Sequence, residues 1–466
     1  MPDATTPAGS GIRVVERRTP MPASAEAVYA WHERPGAFER LAPPWEHVEL
    51  LERSGGLGDG SRTALRVRLA PLVHRRWVAV HREHVAGRQF VDEQVEGPFS
   101  MWRHLHRFEP RPDGTCDMLD RVEYTPPFGL LGAIADHWTI RRQVEAMLRY
   151  RHATLAADLA AHALFPGRSL HVLVSGASGL VGRALCAFLT SGGHRVRRLV
   201  RRPARGAHEA AWDPARGTID AAAFDGIDAV VHLAGENVAA GRWSAAQRAR
   251  IRDSRTQGTA LLAQAAARAA VRPAVFVSAS ANGIYGDRGD EPLTEAAAPG
   301  HGFLADVATA WEGALQPAHE AGIRTVVLRF GVVLSPQGGA LQRLWPLFRL
   351  GLGGRVGSGR QWMSWLSVDD AVGMIHAALL RETMRGAYNA VAPEPVTNAA
   401  FTRALADAVH RPALFPVPAF LLRLVFGEMA QATLLASSRT VPARLEAEGF
   451  RFRHRTLREA LAHLLP

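Results

Sequence analysis

Three glycines, Gly176, Gly179 and Gly182, stand three residues apart between an apolar run, His171-Val-Leu-Val-Ser175, and a second one, Arg183-Ala-Leu-Cys-Ala-Phe-Leu189. At a strand-to-helix turn each glycine has a separate task. Gly176 permits the tight turn, Gly179 lets backbone come close to a pyrophosphate, and Gly182 lets the helix pack on the strand. The free N–H groups and the dipole of the helix N-terminus then attract phosphate. The expected contacts are Gly176, Ser178, Gly179, Leu180, Val181 and Gly182. Ordinary strand–helix packing is the plainer reading, but the strand and helix on either side favour a dinucleotide.

The next strand ends at Leu199-Val-Arg201-Arg202-Pro203. An acid there would serve the ribose hydroxyls of NAD, whereas arginines suit a 2′-phosphate, so NADP is the expected cofactor. A solvated strand end is the alternative. Farther on, Val230-Val-His-Leu233-Ala234-Gly235-Glu236 ends another strand in small residues that would admit a ribose. A plain turn could serve both purposes. Lysine occurs nowhere; all 55 basic side chains are arginine. Chemistry that needs an amine is therefore excluded.

The elements that must hold these residues follow from period and punctuation. The 466 residues suffice for two or three domains, and 47% hydrophobic with 21% charged residues is a globular composition. The net charge of +11 comes from arginines spread along the chain, so no nucleic-acid partner is expected. No apolar run reaches membrane-spanning length, and a cytoplasmic address is expected. Residues 1–10 read as a disordered tail. Cys116 and Cys186 show no pairing pattern, and no metal is expected. His104-x-His106 would share a strand face that a metal could use. With no acid or cysteine clearly placed beside them, the preferred reading is a sheet face or polar wall, with His74, His81 and His84.

A linker at 164–169 divides the chain. Before it, Ile12-Arg-Val-Val-Glu16 reads as a strand and Ala25–Leu41 as short helices. Strands are predicted at Glu46–Leu51, Ser61–Leu69, Arg75–His84, Gln89–Val95, Ser100–Glu109 and Asp117–Tyr124, then a long helix from about Leu130 to Leu164. This order, with Gly97-Pro98-Phe99-x-x-Trp102 and Asp120-Arg121-Val122-Glu123-Tyr124, resembles the START-like helix-grip (SRPBCC, polyketide-cyclase-like) superfamily over residues 11–163. The resemblance implies an α+β domain with an apolar ligand between sheet and helix.

From 170 to 395 strands and helices alternate, the rhythm of an α/β doubly wound parallel sheet. Strands are predicted at Leu170–Ser175, Arg195–Val200, Ala229–Leu233, Ala274–Ser278 and Thr325–Phe330, with helices at Ala245–Ala270 and Phe303–Ala321. Residues 396–466 read as a small C-terminal cap. The glycine turn, His232-Leu-Ala-Gly235, Ser278-Ala-Ser280-Ala-Asn-Gly-Ile-Tyr285-Gly286, Gly357-Ser-Gly-Arg-Gln-Trp-Met-Ser-Trp365 and Trp365-Leu-Ser-Val-Asp369-Asp370 together resemble the extended short-chain dehydrogenase/reductases. More narrowly they resemble an atypical sugar-nucleotide-epimerase-like branch (NAD-dependent epimerase/dehydratase) with its own C-terminal domain.

That resemblance implies a Ser, Tyr and Lys chemistry, with the Lys four residues after the Tyr to lower its pKa. Here the matching positions look like Phe303 and Val307. Four residues after Tyr29, Tyr124, Tyr150, Tyr285 and Tyr388 stand Glu33, Phe128, Thr154, Gly289 and Ala392, so the dyad is absent in any alignment. Ser280 remains, either to hydrogen-bond a substrate oxygen or to cap its turn. Tyr285 would be an alternative acid or a substrate-side wall. Asp306 and Glu312 read as surface or packing residues. Arg255 faces the cleft or forms a salt bridge, and Arg360, Gln361, Trp362 and Ser364 suit substrate recognition or packing. The expectation is an NADP-dependent oxidoreductase or epimerase-like enzyme acting on a small molecule. The alternative is a non-catalytic NADP(H)-binding sensor or scaffold.

Overall fold

A computed structural model describes residues 11–70, 73–126, 136 and 139–466. The expected tail, 1–10, and the expected helix start at 130–135 lie outside the described residues. The chain divides into two compact units, 1–166 and 167–465. Among the described residues no helix is long and apolar enough to cross a membrane.

The first unit is one antiparallel sheet with helices on its inner face. Its strands are β1 (Arg13–Met21), β2 (Val48–Ser54), β3 (Arg62–Ala70), β4 (Val73–Val85), β5 (Gln89–Glu96), β6 (Met101–Pro110) and β7 (Cys116–Thr125). They lie in the order β1-β7-β6-β5-β4-β3-β2. Short helices α1 (Ala25–Glu33) and α2 (Ala37–Leu41) precede β2, and α3 (Ile140–Ala163) follows β7. Alternation decides what each strand buries. Trp102, His104, His106 and Phe108 of β6 point inward, as do Met118, Asp120, Val122 and Tyr124 of β7. Val144, Met147 and Leu148 of α3 join Trp102, Val122 and Tyr124 in one apolar cluster. Leu155 and Leu159 join Phe90, Phe108 and Met118 in a second. A buried ion pair ties α2 to α3: Arg40 donates Nε to Asp158 Oδ2 at 2.7 Å and Nη2 to Oδ1 at 2.9 Å.

The second unit is the parallel sheet. Its strands are β8 (His171–Ser175), β9 (Arg195–Val200), β10 (Glu209–Asp213), β11 (Thr218–Ile219), β12 (Ala229–His232), β13 (Val275–Ala281), β14 (Arg324–Phe330) and β15 (Gly386–Ala390). The order is β11-β10-β9-β8-β12-β13-β14-β15, parallel throughout except for β11. Strand order therefore reverses between β8 and β12, and the crevice beyond their carboxyl ends is the topological switch point. Helices α4 (Leu180–Ser191), α5 (Ala245–Arg268), α6 (Phe303–Gly313) and α7 (Val368–Leu380) connect the strands.

Three sequence expectations shift. Helix α4 begins at Leu180 rather than Arg183, so Gly182 lies inside its first turn. The helix expected over 303–321 breaks into 303–313 and 316–320. Pro317 lacks an N–H, and its ring would clash with the carbonyl four residues back. Strands β10, β11 and β15 went unread, being short and polar at their ends.

Removing one partner of a buried ion pair leaves the other charge uncompensated. Asp158→Ala should destabilise the first unit by about 3–5 kcal/mol. Urea denaturation followed by the near-ultraviolet signal of its tryptophans measures this, and a loss below about 1 kcal/mol would contradict the assignment.

Candidate functional site

The site is built where β8 and β12 end. Gly176 has φ +70°, and a Cβ added to it would lie 2.7 Å from Ala234 N and 2.9 Å from Leu233 O. A Cβ on Gly182 would lie 2.2 Å from Gly176 O. Only glycine allows either approach. A Cβ on Gly179 would meet Gly176 O at 3.2 Å, a tighter fit than usual. Gly179 is the N-cap of α4 and provides no side-chain cap, so the first N–H groups of this twelve-residue helix remain available. Ser178 and Gly179 are exposed, Leu180 and Val181 are half-buried, and Gly182 is buried.

The facing turn is held from beneath. Ser175 Oγ accepts from Leu233 N at 3.2 Å and Ala234 N at 3.4 Å, and shares a hydrogen bond of 2.6 Å with His232 Nδ1. Burial pushes the His232 imidazolium down to about 4, so the ring is neutral. Gly235 is exposed and Glu236 half-buried, with the Glu236 N–H donated to Ser254 Oγ at 3.0 Å.

The two arginines expected at the end of β9 separate. Arg202 is spent on Glu209 of β10, through Nη1–Oε2 and Nη2–Oε1, both at 2.8 Å. Glu209 also accepts from Arg205 N at 2.9 Å, and these bonds, that from Arg202 foremost, hold its carboxyl down near 2. Arg202 therefore does not offer the free guanidinium expected of it, because a strand unread in the sequence brings a carboxylate to it. Arg201 is exposed and has no ion-pair partner among the described residues.

The two expected acid–base residues belong to one polar row across three strands. Ser280 of β13 pairs in register with Arg329 of β14, which pairs with Asn389 of β15. Ser280 Oγ donates to Glu312 Oε1 at 2.7 Å, and Glu312 receives Arg329 through Nε at 2.9 Å and Nη2 at 2.8 Å. Arg329 Nη1 donates to the Tyr285 hydroxyl at 2.9 Å, which donates to Asn389 Oδ1 at 2.7 Å. Tyr285 is wholly buried among Ile284, Leu293 and Ala308, and burial raises its pKa. It neither faces the crevice nor holds a free proton, contrary to its reading as an acid. Glu312, read as a surface or packing residue, is the centre of the row. Arg329 and Asn389 were missed because pairing register leaves no local mark in the sequence. At the dyad positions Phe303 packs on Trp243 with ring centres 5.0 Å apart, and Val307 is buried.

Arg255 of α5 lies against the turn: its Cζ would be 3.3 Å from a Cβ on Gly235. It packs 5.0 Å from the Trp311 ring centre and donates Nη1 to Ile251 O at 3.0 Å. No carboxylate lies within ion-pair distance of it among the described residues. Burial lowers its pKa to about 10, partly offset by Glu236. The residues expected at the substrate loop are mostly structural ties. Gln361 donates to Val356 O and Leu434 O, Trp362 Nε1 to Asp290, and Ser364 Oγ to Ser438 O and Thr440 O. Arg360 is exposed.

Comparison with known proteins agrees with this geometry. The NAD dependent epimerase/dehydratase family matches residues 172–390, and a domain of unknown function matches 417–464. A polyketide cyclase/dehydrase and lipid transport family matches 21–148. An epimerase family protein of Mycobacterium bovis is 45% identical over 292 residues, 63% of this chain and 96% of that protein. A nucleoside-diphosphate sugar epimerase from Corynebacterium glutamicum superposes with a TM-score of 0.80 at 34% identity, over 97% of this chain and 90% of that one. The human epimerase family protein SDR39U1, solved with NADPH, gives a TM-score of 0.59 at 33% identity, over 63% of this chain and 99% of that one.

If Tyr285 is a packing residue, Tyr285→Phe leaves Asn389 Oδ1 and one Arg329 donor unpaired in the interior. The expected loss is about 1–3 kcal/mol in chemical denaturation of the second unit. An unchanged stability would return the hydroxyl to the list of available acids.

Proposed function

Since the chain belongs to the NAD dependent epimerase/dehydratase family and carries a polyketide-cyclase-like domain before it, we propose that its second unit binds NADP(H) and uses it in oxidoreductase or epimerase-like chemistry without a Tyr-x-x-x-Lys pair. The observation that carries this is the uncapped N-terminus of α4, with Gly182 in its first turn and the Leu233–Ala234 backbone packed on Gly176. A diphosphate there would meet aligned N–H groups and the positive end of the helix dipole. Arg201, with no acid beside it, supports the 2′-phosphate form, and the NADPH in the human relative supports the same preference.

Arg255 supports a chemical role at Gly235. A cation with one carbonyl partner retains donors for an anionic or carbonyl oxygen of cofactor or substrate. The helix Ala419–Phe426 supports a substrate with an apolar body. It buries none of its residues, Phe420 and Leu424 are 64% and 68% exposed, and Gly427 after it lies near Arg242, beside the start of α5. The second reading, a sensor that binds NADP(H) without turnover, is favoured by Ser280 and Tyr285 being committed to the polar row.

Calorimetry with NADPH and NADH separates the parts. NADPH should bind at least about tenfold more tightly, a difference of about 1.4 kcal/mol that Arg201→Ala removes while leaving NADH unchanged. Equal affinities would refute the 2′-phosphate assignment. Arg255→Met should weaken NADPH by about 10- to 100-fold without a change in thermal midpoint. Deuterated NADPH incubated with a panel of apolar ketones and aldehydes should yield labelled alcohol. Tight NADPH binding with no label transfer would establish the sensor reading instead.

A further inference from the structure

The exposed apolar side chains of the second unit are gathered, not scattered. Apart from Val271, every large one lies between Leu347 and Leu434. Single exposed hydrophobic residues need no account, but a contiguous patch marks a surface that something else covers.

Two segments build the patch. One is the end of the helix Gly339–Arg349 and the turn after it, where Leu350 is 72% and Leu352 53% exposed. The other runs from Arg411 through the helix Ala419–Phe426, where Leu414 is 71% exposed and Phe415, Phe420 and Leu424 are exposed beside it. Backbone holds the two together. Leu352 bridges Ala413, Phe415 N donates to Gly353 O at 3.1 Å, and Val417 N donates to Arg355 O at 2.8 Å. A Cβ on Gly354 would fall 1.9 Å from Phe415 O, so the two backbones touch with no side chain between them. The apolar side chains therefore stand on a fixed ledge.

The charge on this ledge has one sign. Residues 339–355 and 408–427 contain Arg343, Arg349, Arg355, Arg411 and Arg423 and no aspartate or glutamate. All five arginines are exposed. Their contacts are uncharged: Arg343, Arg355 and Arg411 donate to carbonyls, Arg423 donates to Gln431, and Arg349 lies over the Trp345 ring. A second copy seated on the ledge would bring the same arginines against their own kind, with no acid to receive them. An anionic lipid surface meets both features. Leucine and phenylalanine enter the boundary between headgroups and acyl chains, while guanidiniums on long stems stay at the lipid phosphates.

We propose that the second unit docks through this ledge on the surface of an anionic phospholipid bilayer. The docking is peripheral. The eight-residue helix Ala419–Phe426 is about 12 Å long, far short of the roughly 30 Å hydrocarbon core, so it lies on the membrane and does not cross it. The docking goes beyond the binding of NADP(H) and does not depend on it.

The test sediments the full-length chain with vesicles of phosphatidylcholine, alone or with about one third phosphatidylglycerol. At about 0.15 M salt the anionic vesicles should bind at least about tenfold more tightly, and at about 1 M salt that advantage should disappear. Leu350→Ser combined with Leu414→Ser should weaken anionic binding at least about tenfold, as should Arg349→Gln combined with Arg411→Gln. All four side chains are exposed, so both variants should keep the wild-type melting temperature. Both should also keep the wild-type NADPH affinity in calorimetry, which separates a failure of docking from a failure of the cofactor reading. Should a variant fail to fold, the wild type still decides: no binding, or equal binding to the two kinds of vesicle, would overturn the proposal. A dimer in light scattering that the double leucine variant dissociates would overturn it in favour of a second copy.

Discussion

The second unit depends on two backbones meeting where side chains cannot intervene. The turn after β8 and the turn after β12 touch at Gly176, where even a methyl group would fall within 3 Å of Leu233 and Ala234. That contact closes the floor of the crevice. It also explains why the support beneath is polar: the Leu233 N–H, which also reaches Ser175 O, and the Ala234 N–H both point at Ser175 Oγ, with His232 bonded to that hydroxyl. A neutral imidazole suits this place because it bonds the serine hydroxyl without adding a buried charge. Helix α4 is then aimed with its free amides outward, and any anion bound there is bound by backbone, with the side chains of the turn acting mainly by being absent.

Beyond the crevice, the polar row does work that a proton-transfer dyad cannot do at the same time. Glu312 and Arg329 form a two-point pair, and Ser280 and Tyr285 give their hydroxyls to it. Such a pair is held by its two-point geometry. Phe303 and Val307 accordingly turn α6 into a packing helix, with Val307 buried and Phe303 against Trp243. The result is a rigid wall along the carboxyl ends of β13, β14 and β15.

Local patterns were legible in the sequence and pairings were not. Glycine spacing located the turn because each glycine answers a steric demand within seven residues of chain. Apolar runs marked β8, β12 and β13 because strands buried on both faces require them. Even the antiparallel strands of the first unit showed through alternation. Arg202 misled because its partner, Glu209, lies on a five-residue strand with no apolar run to announce it. Ser280, Arg329 and Asn389 meet only through register, and so do His106 and Asp120. His104 and His106 could be placed on one face, but the carboxylates beside them, Asp92 and Asp120, come from β5 and β7. A pattern read along one strand carries no record of what the next strand presents.

The absence of lysine sharpens one further distinction. Arginine does not shed its charge on burial, so each buried guanidinium must find compensation in the fold. Arg40 takes Asp158, and Arg329 takes Glu312. Arg324 spreads its donors over the carbonyls of Ala378, Leu379 and Met384, and Arg444 over those of Arg385 and Ala387. Arg255 departs from this rule, with a single carbonyl, the face of Trp311 and the more distant charge of Glu236. The remaining donors of Arg255 lie beside Gly235, where the crevice opens.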